Sequence, residues 1–387
     1  MNKKNKILII IIVIFLIGFV FERINTNKSN VYEKQNVSSI KKDKELLSMN
    51  LEQTAGAGDY KTVTQSKWPT EGYKFNTELS RCENGSEISW DDTKKAVIMQ
   101  GNVSDKCYVY FDIYQPTLAE YIKSQYTGTQ GDNALYYHNS TLTNGAGDNS
   151  YRYAGASDSV NNYICLGSDA ATCPDANLFR IIGVFGDKTK VIRANSVGDL
   201  KWHTSSSNTW SSSSLNTYLN GTYLTRLGTI ADKIATTTWK VGGGSWSNIA
   251  TSVPKTAYQN EVGSNASTTT VDKKIGLMYV SDYYYGASPS AWTLVGFNSS
   301  DATKDYRAAT STNWLYLGSY EWTISRISDR TNDAFGVSST GNVYHYIVTN
   351  SYAVRPSFNL ESSITYISGD GTIEKPIRIN WYTVDIL

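Results

Sequence analysis

Leu178-Phe179-Arg180-Ile181-Ile182-Gly183-Val184-Phe185-Gly186-Asp187-Lys188-Thr189-Lys190-Val191-Ile192-Arg193-Ala194 is the stretch from which the architecture of this chain is best read. Leu178–Phe185 is apolar apart from Arg180, and Thr189–Ala194 centres on the β-branched pair Val191-Ile192. Gly186-Asp187-Lys188 joins them, and a short glycine-led connection between two such runs predicts a β-hairpin. Downstream, Ser214 is placed to cap a helix carrying Leu215, Tyr218 and Leu219, which Gly221 should stop, and a second helical piece follows from Tyr223 to Ala235. Ile275–Val280 reads as a strand, with Ser281-Asp282 capping a turn of helix across Tyr283–Tyr285. Trp322–Arg326, Ala334–Ser338, Asn342–Thr349 and Ala353–Leu360 form a β-rich end with a hairpin turn at Gly341-Asn342. Upstream, Thr117 with Glu120 matches a capping box opening a helix through Tyr126, and a loop rich in Gly, Asn and Asp covers 128–162. Helices early and strands separated by long loops give a mixed α+β domain over residues 116–387.

Residues 56–115 read as a separate, small antiparallel β domain. Its strand candidates are Tyr60–Ser66, Tyr73–Leu79, Ser86–Trp90, Ala96–Gln100 and Lys106–Tyr114, divided by turn signals such as Glu83-Asn84-Gly85 and Gly101-Asn102. A core this small is marginal by surface-to-volume scaling. The chain's 4 cysteines fall in two neighbouring pairs, Cys82 with Cys107 and Cys165 with Cys173. Each would close a small loop as a structural disulfide, the first stapling the small domain. Zinc is the competing use of thiols, but C-x-x-C spacing is absent and only 3 histidines exist. No metal and no cofactor is expected.

The N-terminus sets location. Lys3, Lys4 and Lys6 precede an uninterrupted apolar run, Ile7 to Phe21, and no alanine occurs before Ala55 to serve a signal-peptidase site. Fifteen helical residues span about 22 Å, short of a hydrocarbon core of about 30 Å, but Glu22 and Arg23 can snorkel and let Ile24 extend the helix. Residues 1–24 therefore read as a single-pass signal anchor with a cytoplasmic N-terminus and the body outside; a cleaved signal would export the same body. Residues 25–55 read as a polar stalk, part of it helical, because Ile40, Leu47 and Leu51 recur at helical spacing.

Composition narrows the functional classes. Net charge is +1 with 18 % charged residues, so no basic field points to nucleic acid. The chain holds 28 Tyr and 10 Trp among many Ser, Thr, Asn and Gly, a mixture suited to twisted sheets and to exposed binding loops. An exported body also favours disulfides over free thiols.

Trp314-Leu315-Tyr316-Leu317-Gly318-Ser319-Tyr320-Glu321-Trp322-Thr323-Ile324-Ser325-Arg326 is similar to the W-L-R-S-P block of a family of uncharacterised bacterial surface domains. Ala353-Val354-Arg355-Pro356-Ser357-Phe358-Asn359-Leu360 resembles that family's G-V-R-P-A-L-N-L strand. The resemblance covers roughly 117–379 and implies a C-type-lectin-like fold, in the branch shared with formylglycine-generating enzymes. Those oxidases use a late cysteine pair as a copper site, and this chain has no cysteine after Cys173. The E-P-N, Q-P-D and W-N-D motifs of calcium-dependent lectins are absent too. Trp314, Glu321, Trp322, Arg326, Arg355 and Pro356 form the signature, for which a structural role is expected: Arg355, Glu321 and Arg326 holding two loops together by buried hydrogen bonds.

No catalytic set emerges. G-x-S-x-G is missing, Gly242-Gly243-Gly244 lacks the Lys-Ser/Thr of a phosphate loop, and Glu321 has no evident glycosidase partner. The best binding candidate is Tyr283-Tyr284-Tyr285 with Trp292, because three consecutive tyrosines should not all face one core and at least one should reach the surface. The expectation is a membrane-anchored bacterial surface protein, non-enzymatic, binding an extracellular glycan or protein. The alternatives are a structural subunit of a surface fibre or envelope assembly and, less favoured, a relative of the formylglycine-generating oxidases.

Overall fold

The computed structural model describes residues 31–34, 47–64, 67–69, 72–102 and 104–380. The anchor read over residues 1–24, including the apolar run 7–21, lies outside the described residues. Among those described, no helix is long and apolar enough to cross a membrane. The chain is mixed α+β, mostly sheet with short helices, and divides into two compact units between Gln115 and Pro116.

In the first unit the strand Leu47–Glu52 lies between Tyr60–Val63, antiparallel, and Cys107–Ile113, parallel, with Leu47 opposite Cys107. This corrects the stalk reading: Leu47 and Leu51 belong to an extended segment of the small sheet, not to a helix. Alternation decides it, because Met49 and Leu51 point into a core shared with Phe75, Val109 and Phe111. Tyr73–Phe75 and Arg81–Cys82 also pair with Cys107–Ile113, while Glu87–Asp91 and Val31–Lys34 flank Ala96–Gln100 in a second small sheet. A disulfide joins Cys82 to Cys107, which are register partners on neighbouring strands.

The second unit opens with the helix Leu118–Ser124. Its capping box is complete: the Thr117 hydroxyl accepts from the Glu120 N–H, and the Glu120 carboxylate accepts from the Thr117 N–H at 2.8 Å. The hairpin Leu178–Phe185/Lys188–Arg193 sits inside a seven-stranded sheet, in the order 275–276, 357–359, 188–193, 178–185, 151–153, 135–137, with Tyr163–Cys165 also on Leu178–Phe185. Every residue of Leu178–Phe185 except Phe185 is buried, which explains why the run is apolar on both faces rather than alternating; the exception, Arg180, donates to Asn162 Oδ1 and the Val160 carbonyl. The register shifts between Ile181 and Gly183, where a Cβ on Gly183 would collide with the Tyr151 carbonyl. Two of the paired strands, Leu135–Tyr137 and Tyr151–Tyr153, come from the segment 128–162 that reads as a loop in the sequence. The second disulfide, Cys165–Cys173, closes the loop beside this sheet.

A five-stranded sheet runs 199–201, 351–353, 321–326, 333–337, 343–347. The predicted strand Ala353–Leu360 is in fact two, Ser351–Ala353 in this sheet and Ser357–Asn359 in the seven-stranded one. The chain changes sheets at Arg355-Pro356, where proline removes a ladder donor and fixes an extended entry. Gly221 does not stop its helix: Ser214–Tyr218, capped by Ser213, runs through a π turn, Leu219–Tyr223, into Leu224–Arg226. Asn220, inside that π turn, brackets Ile275 by accepting its N–H at 3.0 Å and donating to its carbonyl at 2.8 Å. The ends of the unit meet, Leu118 N–H donating to Ile364 and Tyr366 N–H to Pro116.

Candidate functional site

The helix Val280–Tyr285 has all six residues buried. The expectation that one of its tyrosines reaches the surface is therefore wrong: Tyr283, Tyr284 and Tyr285 are each at most 1 % exposed, as is Trp292. A helix can bury three consecutive rings when protein encloses it on every side. Each hydroxyl then needs its own acceptor, and each finds a different segment: Tyr283 the Gly341 carbonyl, Tyr284 that of Ile249, Tyr285 that of Asn144. Burial pushes the Tyr283 and Tyr284 phenols well above their ordinary range. Trp292 donates to the Ala287 carbonyl and contacts Tyr136, Tyr285 and His138. These residues build the core and offer no surface to a ligand.

The signature residues lie at the junction of the two sheets. The Arg355 guanidinium reaches both carboxylate oxygens of Glu321, at 2.7 and 2.8 Å, and the Leu315 carbonyl at 2.6 Å, with both side chains at most 3 % exposed. Trp314 donates to the Tyr153 carbonyl, Trp322 to Leu200 and Arg326 to Gly242. Pro356 contributes its carbonyl to Arg193 N–H. Gly243, beside this junction, has φ +65° and no room for a Cβ against the Arg326 carbonyl.

A different place gathers chemistry. A cleft of about 230 Å³ opens between the seven-stranded sheet, the strand Thr237–Lys240 and the helices Pro254–Glu261 and Val280–Tyr285. Phe185, Trp239, Tyr258 and Tyr279 line it together with three cationic residues (Arg152, Lys190, Lys240) and two carboxylates (Asp148, Asp282). The main chain places the inner groups. Arg152 projects from Tyr151–Tyr153 and Lys190 from Lys188–Arg193, while Asp282 is the third residue of Val280–Tyr285 and accepts the Tyr279 N–H at 2.8 Å. Lys190 Nζ lies 2.5 Å from Asp282 Oδ2 and 4.6 Å from the centre of the Tyr279 ring. Arg152 binds Asp148 at 2.6 Å and the Ser150 hydroxyl at 2.8 Å, stands 3.9 Å from Asp282, and lies over the rings of Phe185, Tyr258 and Tyr285.

Burial pulls the Lys190 ammonium below its usual range against the opposing pull of Asp282. For Asp148 burial acts upward, yet Arg152 and the Ser150 donors hold the carboxyl below the ordinary aspartate range. Glu261, at the end of the neighbouring helix, accepts from Val280 N–H, Ser281 N–H and the Ser325 hydroxyl, and burial still raises its pKa. His138 is buried with Nδ1 accepting from Ala146 N–H and its ring edge-on to Tyr285, and burial holds it neutral. His345 pairs with Asp333 at 2.8 Å on another sheet, and His203 with Ser205. Among the described residues, no group of three or more His, Cys, Asp or Glu is arranged to hold a metal ion.

The cleft residues run from 148 to 359 with no local motif to join them; Ser281 and Asp282 stand out in the sequence only as a helix cap. One weak signal was present in Arg152, set between Tyr151 and Tyr153 in an aromatic strand.

A family described as a domain of unknown function, DUF6273, matches residues 186–362. That span holds Lys190, Trp239, Tyr258, Asp282 and the whole Glu321–Arg355 junction, while Asp148 and Arg152 precede it. No curated protein and no solved structure matches the chain.

Proposed function

We propose that this chain is a membrane-anchored bacterial surface protein whose 116–380 unit is a non-enzymatic, C-type-lectin-like binding module, with the Arg152–Lys190–Asp282 cleft as its ligand site. The cleft is the observation that carries the reading: a recess with aromatic walls and one more cation than carboxylate suits a compact ring or chain end bearing an acidic group, presented by a glycan or a protein. Two disulfides support an oxidising location. The apolar run behind three lysines supports an anchor with the body outside. Support for the lectin-like fold comes from the order and convergence of the Trp314 block, the 333–347 hairpin and the Arg355 crossing.

Two experiments test this. Protease added to intact cells should digest the body; protection until lysis would remove the surface location. Full-length protein in lipid nanodiscs, probed on arrays of acidic and neutral glycans and peptides, should prefer acidic ligands. Thr238 is exposed at the cleft mouth, so Thr238→Trp should block the cleft and abolish that binding without disturbing the core. Undiminished binding by this variant would move the site elsewhere.

A further inference from the structure

Lys190 and Asp282 are 92 residues apart in sequence, yet their side chains meet at 2.5 Å with 6 % and 3 % exposure. Three rings surround the amine: Tyr279 at 4.6 Å, Trp239 at 5.4 Å and Phe185 at 5.8 Å. On the far side of the carboxyl, Arg152 Nη1 stands 3.9 Å from Oδ1 and is itself anchored by Asp148. The other oxygen, Oδ2, accepts the Tyr279 N–H. An amine in contact with a carboxyl, largely shielded from water, with a cation facing one oxygen and a donor on the other, is the reactant arrangement for forming an amide.

We propose that Lys190 and Asp282 condense into an intramolecular amide that cross-links the strand Lys188–Arg193 to the helix Val280–Tyr285. The Lys190 ammonium passes a proton to Oδ2 across their hydrogen bond, giving a neutral amine and a carboxylic acid. The Nζ lone pair then attacks Cγ, and Arg152 faces Oδ1, where negative charge develops. Nitrogen passes a second proton to Oδ2, the electron pair on Oδ1 re-forms the carbonyl as the Cγ–Oδ2 bond breaks, and Oδ2 departs as one water molecule beside the Tyr279 N–H. No oxidant, reductant or activating group is consumed. Held contact supplies the rate, since fixed neighbours react at effective molarities of about 10⁵–10⁸ M. Enclosure favours the product, because an amide replaces two charges kept from water. The water leaves through the cleft, which both residues line. One cation and one carboxylate are lost together, so the charge excess read for ligand binding is unchanged.

Peptide mapping of the full-length protein by mass spectrometry tests this directly. The expected result is a branched peptide joining the Lys190 and Asp282 segments, one water lighter than their sum. Arg152→Met should lower the branched fraction at a fixed time after synthesis at least tenfold, and Asp282→Asn should yield the same branched peptide with ammonia as the leaving group. Recovery of the two wild-type segments only as separate peptides would reduce the contact to an ion pair and overturn the proposal, whether or not any variant folds. Glycan binding has no bearing on this readout.

Discussion

Arg355 and Glu321 show how one charge pair can organise a junction. With both side chains out of water, the pair is costly to break from one side, about 3–5 kcal/mol, because the partner is left as a buried bare charge. Arg355→Met should therefore destabilise the 116–380 unit by about that amount in urea titrations. The double variant Glu321→Gln/Arg355→Met should recover part of the loss; an equal or larger loss would mean that the Leu315 carbonyl, not Glu321, is the contact that matters. Asp148 gives a pH prediction. Its carboxyl ionises more readily folded than unfolded, so its contribution is present above the unfolded value of about 3.9 and lost as pH falls below it. Asp148→Asn should flatten the acid limb of thermal stability against pH, and an unchanged limb would show that the Arg152 pair contributes nothing. At this scale the Arg355–Glu321 pair was legible, because both residues stand in conspicuous local blocks, whereas Arg326, expected in the same clamp, donates to the Gly242 carbonyl instead. The cleft was not legible, because its charges come from separate strands and helices that only the fold brings together.

Among elements, those with local chemistry were read best. The Thr117–Glu120 box begins its helix as the sequence predicts, and Thr117→Ala should cost about 1 kcal/mol, seen as a lower denaturation midpoint with an unchanged slope. The 178–193 hairpin was legible from the largely apolar Leu178–Phe185, the Val191-Ile192 pair opposite it and a glycine at φ +66° in its turn. Elements governed by distant partners were misread. Leu47 and Leu51 fit a helical period over a short window, but the neighbouring strand Cys107–Ile113 imposes extension. Gly221 looks like a stop, but the Asn220 bracket on Ile275 carries the helix past it. The buried Val280–Tyr285 helix defeats any argument from amphipathicity, since it has no outer face.

For the whole molecule, the two units differ in how much core supports them. The 47–113 unit relies on a small cluster around Met49, Leu51, Phe75, Val109 and Phe111, whereas the 116–380 unit has a far larger one. In the loop-entropy model the Cys82–Cys107 bridge, 25 residues apart, is worth about 3.5 kcal/mol and the Cys165–Cys173 bridge, 8 apart, about 2.5. Reductant should therefore raise amide hydrogen exchange across 47–113 well before it affects 178–193, as hydrogen-exchange mass spectrometry would show. Simultaneous loss of protection in both would contradict this ranking.

The parallel ladder of Leu47–Glu52 with Cys107–Ile113 also sets an order of events at the ribosome. The earlier strand has its central neighbour more than fifty residues downstream, so this sheet cannot close until that neighbour has been synthesised. Until then only the local hairpin with Tyr60–Val63 is within reach, and the sheet closes when its last strand arrives.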